Sequence, residues 1–188
     1  MHTPEPGRRG DYERMVEAEY QSIYRFLFWR HGDRATAEDL TQETFLRAWR
    51  GLAGRRAGVG SARAWLLTIA RRVSQDHLRR APPAALPLAE ADNLGDTSPS
   101  TEDQFAQDDA ARHLRRAVLA LPEPYRNALA LTKIEGLDTA EAARVLGIPR
   151  GTVKWRVSRA LRLLRERLGP DYEQEEAHVP LPHLSPGA

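Results

Sequence analysis

Residues 138–168 read DTAEAARVLGIPRGTVKWRVSRALRLLRERL, and the fold follows from this stretch. Asp138 lies three residues before Glu141. At that spacing an N-cap side chain and a returning carboxylate satisfy each other's free backbone amides, so a helix is predicted from Thr139. Leu146-Gly147 should end it. Glycine takes the left-handed conformation that closes a helix, and Pro149 suits the start of the next, where a missing amide hydrogen costs nothing. In the second helix Val153, Val157, Ala160, Leu161, Leu164 and Leu168 recur at spacings of three and four, giving one apolar stripe for packing. Between Arg150 and Arg167 stand seven Lys or Arg (Arg150, Lys154, Arg156, Arg159, Arg162, Arg165, Arg167) against one acid, Glu166. Two helices about a tight turn, the second strongly basic, form the pattern of a helix-turn-helix DNA reader, attracted to phosphate through counterion release. A merely solvated amphipathic helix would account for the charge, but the capped helix and sharp turn before it weigh against that reading.

Working back from this stretch, helical periodicity begins at about Phe105, is clear at Leu114, Val118 and Leu121, and stops at Pro122. A further helix is predicted from Glu123 to Gly136 with Tyr125, Ala128, Leu129 and Thr132 inward, so that these two helices scaffold the helix-turn-helix. Before them the chain changes character. Residues 82–104 are rich in Ala, Pro, Ser and Thr, the composition of an extended linker. From Ala81 to Ala111 there are seven acids (Glu90, Asp92, Asp96, Glu102, Asp103, Asp108, Asp109) and no base. The net charge of +2 therefore conceals two basic modules around an acidic connector.

The N-terminal module should span residues 11–81 and contain three helices. The first runs from Asp11 as N-cap to about Arg30 with Val16, Tyr20, Ile23, Tyr24 and Leu27 inward and Phe28 and Trp29 filling the core; His31-Gly32-Asp33 closes it. The second begins at Thr36, whose spacing to Asp39 suits a capping box. Ala37, Leu40, Thr44, Phe45, Ala48, Trp49 and Leu52 can bury, leaving Glu38, Asp39, Gln42, Glu43 and Arg47 as an outer, mostly acidic face. No histidine or cleft supports a catalytic or metal role for those acids; the choice lies between a solvated face and a protein-docking one. A glycine-rich loop with Arg55 and Arg56 follows, and Ser61 then caps a third helix with Trp65, Leu66, Ile69, Ala70 and Val73 inward. Its outward Arg63, Arg71, Arg72, Arg79 and Arg80, beside the basic loop, make a second nucleic-acid candidate. Residues 1–10 and 169–188 show no periodicity and are expected to be disordered.

Composition closes off other classes. A chain of 188 residues with 41% hydrophobic and 29% charged residues is an ordinary soluble composition. With no cysteine, disulfide frameworks, thiolate zinc sites and cysteine nucleophiles are excluded. No apolar run approaches the roughly 18 residues of a membrane span, and no signal core follows the N-terminal basic residues, so the expected location is the cytoplasm. No phosphate-binding glycine loop, metal-spaced histidine cluster or nucleophile elbow occurs; neither metal nor cofactor is expected, nor any enzyme activity.

Two blocks, in this order, resemble one family. AEDLTQETFLRAWR followed by ARAWLLTIARRVSQDHLRR resembles region two of the small bacterial RNA polymerase sigma factors of the extracytoplasmic-function group; LPEPYRNALALTKIEGLDTAEAARVLGIPRGTVKWRVSRALRLLRERL resembles region four. The resemblance implies that Asp39, Gln42 and Glu43, with Glu38 beside them, dock on the clamp helices of the polymerase's largest subunit. It implies that the loop from Gly51 to Gly60 and the start of the third helix, with Arg55, Arg56, Arg71 and Arg72 as the basic side chains, capture an unstacked base of the single-stranded downstream promoter element. It places Lys154, Trp155, Ser158 and Arg159 in the major groove of the duplex upstream element, with Arg156 nearer the phosphates and Arg150 and Thr152 at the start of the reading helix. It leaves room for an anti-sigma protein as a further partner.

Two positions depart from the family pattern. Arg72 stands where the family usually has asparagine, and Trp155 where it often has a small hydroxyl residue. Tryptophan cannot reproduce a hydroxyl contact and would offer apolar area to a thymine methyl or a sugar. The expectation is an all-α protein of two small helical domains on a flexible acidic linker, a promoter-specificity subunit of RNA polymerase without catalysis of its own. The alternatives are a helix-turn-helix regulator that binds duplex DNA without polymerase, and a helical interaction protein with no DNA site.

Overall fold

The computed structural model describes residues 6–52, 61–80 and 102–169, with side chains described from 9 in the first stretch and from 111 in the last. The helices are α1 (Pro6–His31), α2 (Arg34–Gly51), α3 (Ala62–Arg80), α4 (Glu102–Leu119), α5 (Glu123–Leu129), α6 (Thr139–Leu146) and α7 (Arg150–Leu168), with a π-helical turn at Ala130–Ile134. No strand occurs among the described residues. The expected linker lies outside them up to residue 101, as do most of the C-terminal tail and residues 1–5.

Several boundaries differ from the sequence reading, each for a local reason. The first helix starts at Pro6, not Asp11: proline is compatible with a first turn, and Arg9 and Glu13, one turn apart, pair at 2.8 Å. Asp11 therefore lies inside the helix, against Arg14. The second helix is capped by Asp33, which accepts a hydrogen bond from the Thr36 amide at 2.7 Å. Thr36 is thus the third helical residue and not the start. Gly32, at φ +79°, ends α1 and leaves Asp33 extended, so two residues divide the two helices. Helix α4 begins at Glu102, earlier than Phe105. The predicted single helix from Glu123 to Gly136 widens at Ala130–Ile134, where the Glu135 amide reaches back to the Ala130 carbonyl at 2.9 Å.

Other signals were realised. The Ser61 hydroxyl caps α3 through the Ala64 amide at 3.1 Å. Asp138 and Glu141 form the reciprocal capping box, and Gly147 closes α6 at φ +67°. The two amides of Glu141 and Ala140 hold the Asp138 carboxyl below the usual carboxylate range.

Helices α1 to α3 form one module, α4 to α7 another, and the two pack together, with α6 on α3 and both α4 and α5 on α1. Ile23, Phe26, Leu27, Phe28, Leu66 and Leu67 in the first module and Leu131, Val145 and Val153 in the second are buried within one continuous apolar cluster. Leu67 was absent from the expected inward stripe of α3. It shares a face with Arg71, whose Nε donates to the Val145 carbonyl of α6 at 2.8 Å, so α6 covers a side of α3 that periodicity within one module assigned to solvent.

Charged groups fix the relative position of the modules. The Glu135 side chain, fully removed from solvent, accepts from Ser22 Oγ at 2.5 Å and from Arg25 Nη2 at 3.1 Å. Burial raises the Glu135 pKa, with the Arg25 and Ser22 hydrogen bonds opposing it. Farther along α1, buried Arg30 donates to the Ser74 hydroxyl and, at 2.5 Å, to Glu123. Arg126 donates to the Arg30 carbonyl at 3.0 Å. His31 completes this cluster, with its Nε2 2.6 Å from Ser74 Oγ and its ring edge-on to His77. Ser74 Oγ thus joins the Arg30 guanidinium and the His31 ring in one hydrogen-bonded group. Burial, then Arg30, His77 and Arg126, lower the His31 pKa to about 3, against a smaller opposing effect of Asp33.

Two predictions follow from these contacts. Arg25→Met should destabilise the chain by about 3 kcal/mol by leaving Glu135 buried without its ion-pair partner, whereas Arg25→Met with Glu135→Leu should recover most of that loss. Urea denaturation tests this, and equal losses in the single and double variants would refute the pairing. The second concerns acid. The unfolded chain takes up a proton at His31 near pH 6.5 and the folded chain only near 3, so the stability present above 6.5 is lost as pH falls through that window. The slope should approach ~1.4 kcal/mol per pH unit between pH 6.5 and about 5, before most carboxylates titrate, and His31→Gln should flatten it in thermal melts.

Candidate nucleic-acid and protein interfaces

The apolar stripe of α7 is used as predicted: Val153, Ala160 and Leu164 are buried and Val157, Leu161 and Leu168 half-buried. That fixes the rotation of the helix. Lys154, Trp155 and Ser158 are consequently exposed on one outer face, together with Arg150, Arg162 and Arg165, while Thr152, Arg156 and Arg159 are half-buried at its margins. Pro149 caps the helix without a side-chain hydrogen bond, so its first amides remain open beside Arg144 and Arg150 in a shallow recess at the turn. Trp155 keeps 58% of its surface exposed. Its ring rests edge-on against Tyr125 of α5, centroids 5.7 Å apart at 70°. Tyr125 entered the sequence reading only as a core residue.

On α2, Glu38, Asp39 and Gln42 are exposed on the side opposite buried Ala37, Leu40, Thr41, Thr44 and Phe45. Glu43 is half-buried and already engaged: Arg47 donates to Glu43 at 2.7 Å and to Asp76 of α3 at 2.7 Å. Arg47, expected among free polar side chains, thus ties α2 to α3; Asp76 first, then Glu43, raises its pKa. Leu46, one turn beyond Gln42 and 52% exposed, adds an apolar side chain to this acidic face that the sequence reading passed over.

The basic side of α3 is less open than its composition suggests. Arg63 pairs with Glu19 at 2.7 Å and Arg79 with Asp76. Arg71 caps the C-terminal end of α6 through Val145, and burial lowers its pKa. Arg72 and Arg80 are exposed. The structure therefore separates the neighbouring candidates Arg71 and Arg72, one held in the seam between modules and one free at the surface. Arg55 and Arg56 lie outside the described residues. Among the described residues no group of three or more His, Asp or Glu is placed to hold a metal ion. No described helix is long and apolar enough to cross a membrane.

Residues 15–82 match the Sigma-70 region 2 family, and residues 111–164 match Sigma-70, region 4. The chain is 38% identical over 163 residues to the probable RNA polymerase sigma-C factor of Mycobacterium bovis, covering 85% of this chain and 84% of that one. The chain belongs to the ECF group of RNA polymerase sigma factors. Against the ECF sigma factor BldN of Streptomyces coelicolor it is 34% identical over 171 residues, covering 88% of this chain but 62% of that protein's length. Two solved complexes contain chains that share the fold. The sigma factor RpoE from Bartonella quintana, solved with the anti-sigma factor NepR, aligns at a TM-score of 0.67 and 24% identity over 86% of this chain and 98% of that one. CnrH, solved with the cytosolic domain of CnrY, aligns at 0.64 and 22% identity over 88% and 90%. The region 2 match thus covers most of α1 with α2 and α3, and the region 4 match covers α6 and most of α7.

Proposed function

We propose that this chain binds core RNA polymerase through the outer face of α2 and directs transcription initiation at promoters whose upstream element is read by α7. The observation that carries this reading is the exposed acidic stripe of Glu38, Asp39 and Gln42 on a helix whose other side is committed to the core. A regulator that met only DNA would gain nothing from it, since acids repel phosphate; a subunit that docks on a basic protein surface is steered by it. Leu46, exposed within that stripe, adds apolar area for a partner to cover.

Lys154, Trp155, Ser158 and Arg159 are the base-facing side chains in this reading, with Arg156, Arg150 and Thr152 toward the phosphates. Arg72, together with Arg55 and Arg56, attracts the melted strand of the downstream element. Arg71 joins them only when α6 leaves α3, because its guanidinium is held by Val145 in the packed arrangement. The partners are core polymerase, promoter DNA in duplex and single-stranded form, and an anti-sigma protein of the sort that accompanies the Bartonella quintana factor. The chain works in the cytoplasm and carries out no reaction of its own.

Asp39→Lys with Gln42→Lys tests docking and spares the Glu43–Arg47–Asp76 contacts. The variant should lose co-purification with core polymerase and promoter-specific transcripts. Its folding stability should change by only about 0.5 kcal/mol, because both positions are at the surface. Retention of both activities would exclude α2 as the docking helix. For the reader, Arg159→Ala should cost roughly 1–3 kcal/mol of promoter affinity and change the preferred sequence, with Arg165→Ala nearly neutral. Equal losses without a change of preference would leave phosphate attraction alone.

A further inference from the structure

Trp155 is the position at which α7 departs most from an ordinary basic helix. A large apolar ring, 58% exposed, stands directly after Lys154 and one turn before Ser158 and Arg159. A single exposed apolar side chain does not by itself call for a ligand, but this one stands among the basic side chains of the face that the proposed reading turns to DNA. The ring is also supported from one side. Tyr125, half-buried on α5, meets it edge-on at 5.7 Å and 70°, an arrangement that limits rotation of the indole while leaving more than half its surface free. The support comes from a different helix, so the indole is set by the packing of α5 on α7 and not by α7 alone.

The chemistry of the major groove narrows what such a ring meets there. Base edges offer donors and acceptors, which an indole with a single N–H cannot match in pairs, and one apolar group, the C5 methyl of thymine. We infer that Trp155, positioned by Tyr125, is a specificity-determining residue that selects a thymine in the duplex upstream element by packing on its C5 methyl. This rests on the proposed reading by α7 and adds to it a particular base and a particular atom. Lys154 and Arg159 then supply charge and hydrogen bonds on either side of a contact that is itself apolar. Tyr125 acts at one remove, by holding the ring.

The test uses the full chain in complex with core polymerase. Duplexes are first selected by this holoenzyme from a pool with a randomised upstream element. Each thymine of a selected duplex is then replaced singly by deoxyuridine, which removes the methyl and leaves every hydrogen-bonding group. At one position, or two adjacent ones, loss of the methyl should lower affinity about fourfold, the equivalent of ~0.8 kcal/mol for one buried carbon. Trp155→Ser should bind the thymine and uracil duplexes equally. Tyr125→Ala should shrink the thymine-to-uracil ratio, and Tyr125→Phe should restore it, a pattern that a role in stability alone would not produce. Selected duplexes that show no methyl dependence, or a dependence that survives in Trp155→Ser, would overturn the inference while leaving promoter reading by α7 intact. If no duplex is enriched at all, the promoter-reading function fails and this inference with it.

Discussion

The Glu135 carboxylate, enclosed between the two modules, is the constraint around which the arrangement of this chain is built. A carboxylate leaves water at a cost of several kcal/mol unless cations and donors surround it. Its partners, Ser22 and Arg25, lie 113 and 110 residues earlier in the chain. Apolar surfaces can slide over one another with little change in area, whereas this contact has one position. A second polar anchor, Arg30 with Ser74, Glu123 and Arg126, lies farther along α1. From Ser22 to Arg30 the helix rises roughly 12 Å. Two anchors at that separation fix orientation as well as contact, and they explain why α6 meets α3 where Arg71 can cap it.

What was legible in the sequence was what short-range chemistry decides. Asp138 with Glu141, Gly147 and Ser61 each act on amides within a few residues, and each formed the structure its spacing implied. The inward stripes of α2 and α7 were readable for the same reason, since a helical period needs no knowledge of the partner. Missing from the sequence was everything decided at long range. Leu67 is buried because α6 covers it, and α6 lies 72 or more residues further on. The π-helical turn delivers Glu135 to a pocket made by α1, and nothing in ALTKIEG states that a partner waits there. Helix α1 began early because ion pairs one turn apart extend a helix without any apolar periodicity.

The candidate surfaces divide in the same way. Exposure of Lys154, Trp155 and Ser158 followed from the apolar stripe of α7 alone, as exposure of Glu38, Asp39 and Gln42 followed from that of α2. Availability did not follow. Glu43 and Arg71 have the composition of surface residues, yet Arg47 holds one and the Val145 carbonyl the other. A basic or acidic residue on a helix is a candidate for binding only after its contacts within the fold are counted, and those depend on neighbours distant in sequence.

The polar anchors also bear on how firmly the modules are held. When they separate, Glu135 and Arg25 both return to water, and the hydration each regains offsets most of the attraction lost. The pair therefore determines which arrangement forms far more than how tightly it forms. Removing one partner alone leaves a buried charge and distorts that relation, but moving both into water does not. Holding the modules together falls instead to the apolar side chains covered between α1, α3 and the second module, where each large one contributes about 1.5–3 kcal/mol on burial. An interface whose charged groups regain hydration on separation, and whose hold is apolar, can open without unfolding either half. Arg71, whose guanidinium donates across that interface to the Val145 carbonyl, is released when it does.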